Sequence, residues 1–243
     1  MTTLVHGVRA VLLDLEGTTT PADFVSERLA RYAADRVGDF LEAHAADVAV
    51  RADALALVTE REREAEPDAP VVDEADPDTV AAYARWLIER DRKSTTVKSL
   101  AGRICEAGFE AGELTADMFD DVGPALERWR AGGVVVATFS SRSPLMQRLL
   151  FEHSSAGDVS GGVTTYFDTN FGSKTDAASY GRIAEALGAE PSAILFVSDS
   201  PAELDAAREA GMRIALAVRP GNPLVRRPDL PSVMSLAALV PTR

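Results

Sequence analysis

An α/β fold built on a parallel sheet, with helices on both faces and an inserted helical module, is predicted by three observations. Short apolar runs of strand length, Val8 to Leu13, Val134 to Phe139 and Ala193 to Val197, each run into a polar or acidic residue. Stretches of helical periodicity alternate with them, and such alternation implies parallel pairing with right-handed crossovers. About a hundred residues, rich in Ala, Glu, Asp and Arg and poor in strand-like runs, separate the first strand from the second. The expected organisation is a core of residues 1–20 and 121–243 with an inserted α-helical cap at 21–120.

In the cap, Leu29, Tyr32, Ala33, Arg36, Val37 and Phe40 recur near helical spacing within Ser26 to Glu42, and Val80 to Arg90 and Val97 to Ala107 read the same way. The alternating charges of Glu60-Arg61-Glu62-Arg63-Glu64 suggest the solvated face of a helix. Pro67 to Pro77, rich in Pro and Asp, reads as a loop. In the core, further strands are expected near Gly162 to Phe167 and at Ile214 to Val218. Helices are expected at Pro124 to Ala131, Leu145 to Phe151, Thr175 to Leu187 and Ala202 to Ala210.

The 243 residues suffice for a full core plus a module, and 46% hydrophobic content is that of a globular protein. A net charge of −13 argues against nucleic-acid and anionic-membrane partners. Cys105 is the single cysteine, so no intrachain disulfide can form, and a packed small residue is its simplest role. No apolar stretch has membrane-spanning length, and Leu4 to Leu13 is interrupted by His6 and Arg9 as no signal peptide would be. These features lead us to expect a cytoplasmic protein. His6, His44 and His153 lack metal-ligand spacing and read as structural or exposed.

The chemistry concentrates where strands end. Asp14-Leu15-Glu16-Gly17-Thr18-Thr19 follows the first strand, and Ser140-Ser141 and Asp199 follow two others. Lys174 precedes the helix expected from Thr175. Ligands of open α/β sheets bind at the carboxyl ends of strands. Each group alone has an ordinary reading: a solvated turn for the first acids, a strand terminus for the serines, a helix N-cap for Asp199. Together they are what phosphoryl transfer through an aspartyl intermediate needs. A phosphomonoester dianion repels a carboxylate nucleophile unless a divalent cation screens it, and Mg²⁺ held by Asp14 and Asp199 would do so. Asp14 would attack phosphorus, and Ser140, Ser141 and Lys174 would hold the phosphoryl oxygens. Glu16 would protonate the leaving oxygen and then activate water.

At this point the chain resembles the haloacid dehalogenase superfamily and, within it, the enolase-phosphatases of methionine salvage. The resemblance rests on Asp14-Leu15-Glu16-Gly17-Thr18-Thr19-Thr20-Pro21, with Glu where most superfamily phosphatases carry Asp, and on Asp91-Arg92-Lys93-Ser94-Thr95-Thr96-Val97-Lys98-Ser99-Leu100. Leu149 to Ser154, Ala177 to Tyr180 and Ala202 to Met212 also look like that family, so nearly the whole chain is covered. The resemblance implies a Rossmann-like core and a Mg²⁺-dependent enzyme that enolises and then dephosphorylates 2,3-diketo-5-methylthiopentyl 1-phosphate to the acireductone. It implies Asp14 as nucleophile and metal ligand, Glu16 as acid/base and metal neighbour through its carbonyl, and Asp199 as the other metal carboxylate. Ser140, Ser141 and Lys174 are implied as phosphate-binding, and a monomer is implied. Lys98 is the leading cap candidate for substrate contact, ahead of Lys93 and Ser94, with a solvated basic patch as the alternative.

Several positions depart from the family pattern. Ser140-Ser141-Arg142-Ser143 replaces the usual Ser-Ser-Gly-Ser, which puts Arg142 beside the expected phosphate site as a further substrate-binding candidate. Leu100-Ala101-Gly102 lacks the usual amide, Cys105 replaces an aromatic, and Ser200-Pro201 replaces an apolar pair. These changes fall where substrate identity is decided and leave the carboxylates untouched. Two alternatives therefore stand: a phosphatase redirected to another phosphorylated small metabolite without enolase activity, and a catalytically silent homologue that binds a phospholigand or a protein. No base for the enolisation is legible.

Overall fold

The structure, a computed structural model, describes residues 3–73, 76–90 and 92–242. Asp91, which opens the cap-region motif, and Glu74 and Ala75, within the expected Pro67 to Pro77 loop, lie outside the described residues. The chain divides into two compact units, Met1–Phe24 with Thr115–Arg243, and Val25–Leu114.

The strands are β1 (Thr3–His6), β2 (Ala10–Leu13), β3 (Val135–Phe139), β4 (Thr165–Phe167), β5 (Ile194–Ser198), β6 (Arg213–Ala217), β7 (Ser232–Val233) and β8 (Leu239–Thr242). The helices are α1 (Ala30–Ala43), α2 (Val48–Glu62), α3 (Pro77–Glu89), α4 (Thr95–Glu110), α5 (Val122–Ala131), α6 (Pro144–Glu152), α7 (Ala177–Leu187) and α8 (Pro201–Glu209).

The first unit holds a parallel six-stranded sheet in the order β4-β3-β2-β5-β6-β7. Every residue of β2 and of β5 is buried, which is why both read as unbroken apolar runs. From β2 the strand order leaves in both directions, so the switch point lies at β2. Leu12, Phe139, Phe196, Tyr180 and Ile183 pack in the core, with Tyr180 tilted against Phe196 at 5.1 Å and edge-on to Phe139 at 5.5 Å between ring centroids. The flanking helices start where the sequence supplies caps. Ser143 accepts from the Met146 amide ahead of Pro144 in α6, and Asp176 accepts from the Ala178 amide in α7. Gly188 closes α7 in the left-handed region at φ 61°.

The parallel sheet with flanking helices and an inserted helical region agrees with the expected fold class. Three strands were not anticipated. β1 and β8 pair only with each other, and β7 is two residues long, so none carries a distinctive apolar run. The Trp129 indole and the Arg128 guanidinium of α5 both donate to the Leu239 carbonyl at 3.2 Å and so hold the start of β8.

The second unit is helical. α2 is longer than its Glu60 to Glu64 end suggests, and it is weakly patterned: Val50 and Leu57 are buried while Val48 and Leu55 are exposed. The expected solvated face holds at Glu62 and Arg63, which are exposed, while Glu60, Arg61 and Glu64 are half-buried and have partners. Arg61 donates to the Pro70 and Ala69 carbonyls at 2.6 and 2.9 Å, Glu60 accepts from Ser94 at 2.7 Å, and Glu64 pairs with Arg92 at 2.6 Å. Cys105 is buried on α4, as a packed small residue should be. No helix among the described residues is long and apolar enough to cross a membrane.

Candidate active site

Leu13 at the end of β2 pairs in register with Thr138 of β3 and Val197 of β5. Parallel strands in register bring their exits to one level, so Asp14, Ser140 and Asp199 emerge together. A cavity of about 390 Å³ opens there, lined by Asp14, Glu16, Ala22, Ser140, Ser141, Lys174, Asp199 and Glu203. Six of the sequence-predicted site residues thus share one cavity. A larger cavity of about 660 Å³ lies wholly in the helical unit, between α2 and the start of α4; it holds none of these six groups but is lined by the cap candidates Lys93 and Ser94. Lys98 is exposed on α4 of that unit.

Asp14 is 4% exposed, with its amide donating to the Val197 carbonyl at 2.9 Å. Lys174 Nζ donates to Asp14 Oδ1 at 2.5 Å and to Glu203 Oε2 at 2.9 Å, and Thr18 Oγ1 lies 3.4 Å from Asp14 Oδ2. The Tyr180 hydroxyl donates to the Lys174 carbonyl at 2.7 Å, which fixes the lysine's backbone just before α7. Burial pulls the Lys174 ammonium down, yet the facing Asp14 and Glu203 carboxylates outweigh it and hold it well above its ordinary value.

The serine loop after β3 is set by a buried glutamine. Gln147 Nε2 donates to the Arg142 and Phe167 carbonyls, both at 2.8 Å, and its Oε1 accepts from Thr138 at 2.6 Å. The Ser140 amide donates to the Phe167 carbonyl at 3.1 Å, and the Arg142 amide donates to Ser140 Oγ at 3.2 Å. Ser140 is buried and Ser141 exposed at the cavity wall. Arg142 turns to Glu16, its Nε donating to Glu16 Oε1 at 3.1 Å.

Asp199 follows β5, and burial first, then the charge of Asp14, pushes its carboxyl up to about 6. Gly17 has φ +73°, and a Cβ there would run into the Asp199 carboxylate. Glycine is therefore required both for the turn and for that close approach. The hard oxygens of Asp14 and Asp199, which line one cavity with Glu16, are the groups that can hold a divalent cation. No three His, Cys, Asp or Glu side chains among the described residues form a ready-made cage. Mg²⁺, which takes one or two carboxylates and completes its shell with phosphate and water, suits such a site. The observation that favours a cation here is the donor set itself: Asp14 and Asp199 line one cavity, and Gly17 lets the Asp199 carboxylate close on the loop that follows Asp14.

Glu203 is the site residue that sequence reasoning missed. Burial first, then Asp14, pushes its carboxyl up to about 7, and it accepts from Ser198 Oγ at 3.0 Å as well as from Lys174. Its signal was the Asp199-x-x-x-Glu203 spacing, which returns an acid from the first turn of α8 toward the strand exit. Ser200 and Pro201 serve that turn, Ser200 at the N-cap and Pro201 at the first helical position.

Comparison with known proteins agrees with this geometry. The model of the haloacid dehalogenase-like hydrolases matches residues 8–211. The chain is 49% identical over 234 residues to the enolase-phosphatase E1 of Synechococcus elongatus, covering 96% of this chain and 98% of that one. It is 46% identical over 214 residues to the enolase-phosphatase E1 of Sorangium cellulosum, covering 88% and 89%. Among solved structures it is similar to the UTR4 protein of Saccharomyces cerevisiae, with TM-score 0.76 and 29% identity over 94% of this chain and 98% of that chain.

Proposed function

Because the chain belongs to the haloacid dehalogenase-like hydrolases, and within them to the enolase-phosphatase E1 family, we propose that it is a Mg²⁺-dependent enolase-phosphatase of methionine salvage. It would enolise 2,3-diketo-5-methylthiopentyl 1-phosphate and then remove the phosphate. The observation that carries the reading is Asp14, held 2.5 Å from Lys174 at the exit of β2 in one cavity with Glu16, Ser140, Ser141 and Asp199.

A carboxylate oxygen of Asp14 forms a bond to phosphorus as the bond from phosphorus to the substrate oxygen breaks, and Glu16 gives that oxygen its proton. Water then attacks phosphorus of the acyl phosphate, Glu16 takes the proton, and Asp14 is released. The Ser140 and Ser141 groups and the Lys174 ammonium hold the phosphoryl oxygens as charge spreads over them. Asp14, Asp199 and the Glu16 carbonyl would hold Mg²⁺, which supplies charge screening between nucleophile and phosphate. Glu203 would keep Lys174 aimed at Asp14.

The test is Mg²⁺-dependent phosphate release from the diketo phosphate, with absorbance followed for the enol, beside a panel of sugar phosphates. Enol formation followed by phosphate release on the first substrate supports the proposal. Release only from another panel member would mean a redirected phosphatase, the alternative raised by the departures at Arg142 and Ala101.

A further inference from the structure

We propose that the turn Arg219 to Asn222, which follows β6, is a clamp on the loop behind the nucleophile, and that Asn222 and Arg219 are positioning residues for the cation-binding and proton-transfer side of the site. The roles assigned to Asp14, Glu16 and Asp199 rest on the function proposed above.

Two side chains of this turn hold three backbone groups of the loop. Asn222 Nδ2 donates to the Gly17 carbonyl at 2.8 Å, and its Oδ1 accepts from the Ala22 amide at 3.3 Å. Arg219 Nε donates to the Thr18 carbonyl at 2.8 Å. Arg219 is 4% exposed and is itself immobilised. Its Nη1 donates to Asp121 Oδ2 at 2.7 Å and to the Met234 carbonyl at 3.2 Å, and its guanidinium lies 4.7 Å from the centroid of the Phe119 ring. Asp121 is fixed in turn by Ser235 Oγ at 2.6 Å and the Leu236 amide at 2.5 Å.

A buried guanidinium is a poor choice for stability alone, since an apolar side chain of similar volume fills such a place as well or better. Arg219 Nη2 is moreover buried without a partner among the described residues. What the arginine supplies is a fixed donor for the Thr18 carbonyl. The need for it shows at Gly17, which is pinched from both sides. A Cβ there would overlap the Asp199 carboxylate and come within 3.0 Å of the Asn222 amide nitrogen. A small shift of this loop therefore changes the separation of Asp199 from Glu16 directly.

The test compares wild type with Asn222→Ala and Arg219→Lys, well below their melting midpoints. Mg²⁺ binding is read by calorimetry without substrate, and kcat and KM are read on the diketo phosphate and on p-nitrophenyl phosphate. Lysine keeps the charge but has one nitrogen in place of the arginine's separate Nε and Nη1 donors to the Thr18 carbonyl and Asp121, so it tests the clamp with the charge retained. Each variant should bind Mg²⁺ about tenfold more weakly and lose roughly ten- to hundredfold in kcat, with KM changed less than about threefold, because Ser140, Ser141 and Lys174 lie outside the clamped loop. Wild-type Mg²⁺ affinity and kcat in a folded variant, with only a lowered melting midpoint, would overturn the proposal, and so would an effect confined to KM. A wild type that hydrolyses p-nitrophenyl phosphate but not the diketo phosphate would refute the proposed substrate and leave the clamp tested on the first ester.

Discussion

Arg142 Nε donates to Glu16 Oε1 at 3.1 Å, joining the residue after the two cavity serines to the carboxylate beyond the nucleophile. Both side chains are about a third exposed, at 34% and 35%, so the pair contributes less than about 1 kcal/mol to stability. Its role lies in orientation. Arg142→Gly should leave the urea midpoint nearly unchanged while kcat/KM for phosphate release falls roughly tenfold, the worth of one charge-assisted contact. Steady-state kinetics beside urea unfolding decide it, and unaltered kcat/KM would remove Arg142 from the site.

The Asp14–Lys174–Glu203 cluster makes a stability prediction of opposite character. Lys174 is largely buried between two carboxylates, and removing a buried partner leaves uncompensated charge. Lys174→Met should destabilise the fold by about 3–5 kcal/mol and abolish turnover. Adding Glu203→Gln should restore part of that stability, because one stranded carboxylate is gone. A double variant no more stable than Lys174→Met would contradict this account of the cluster.

Raised carboxyl values predict a pH dependence. Burial and the charge of Asp14 push Asp199 up to about 6 and Glu203 up to about 7, above the unfolded values near 4. Between about pH 4 and 7 the folded state therefore binds more protons than the unfolded state, and this contribution to stability grows as pH falls through that window. In chelator, the melting midpoint should rise from pH 8 to pH 5.5. Added Mg²⁺ should raise it more at pH 8, where Asp199 is ionised and available to the cation. A midpoint that falls over that range, or a Mg²⁺ effect larger at pH 5.5, would contradict the electrostatics of the site.

Gly17→Ala should be costly twice over. A positive φ of +73° disfavours any L side chain by roughly 1–2 kcal/mol, and the new methyl would push Asp199 away. Calorimetry should show weakened Mg²⁺ binding alongside a lowered melting midpoint. Full Mg²⁺ affinity in this variant would show that the approach of Asp199 to the loop is unimportant.

The strand exits were legible because β2, β3 and β5 are nearly continuous apolar runs, so Asp14, Ser140 and Asp199 stand out as polar residues at their ends. Parallel order followed from alternation with helices. What stayed hidden depends on contacts between distant parts of the chain. Glu203 looks like any acid in a first helical turn until Lys174 is seen beside it. Arg219 carries a charge, which a sequence reading assigns to the surface, and its burial follows from Asp121 and the Thr18 carbonyl, far away in sequence. The glycine of Gly17-Thr18-Thr19 was visible as a turn residue, but nothing in the sequence says that Asp199 fills the space a side chain would need. The β1 and β8 pair was invisible because neither partner means anything without the other.

The central claim is that Asp14 is the nucleophile of a Mg²⁺-dependent phosphatase, and Asp14→Asn tests it most directly. Phosphate release and enol absorbance are followed together in Mg²⁺, with circular dichroism to establish that the variant is folded. The account predicts no phosphate release from a folded variant, whatever enol it accumulates. Phosphate release at the wild-type rate would contradict it.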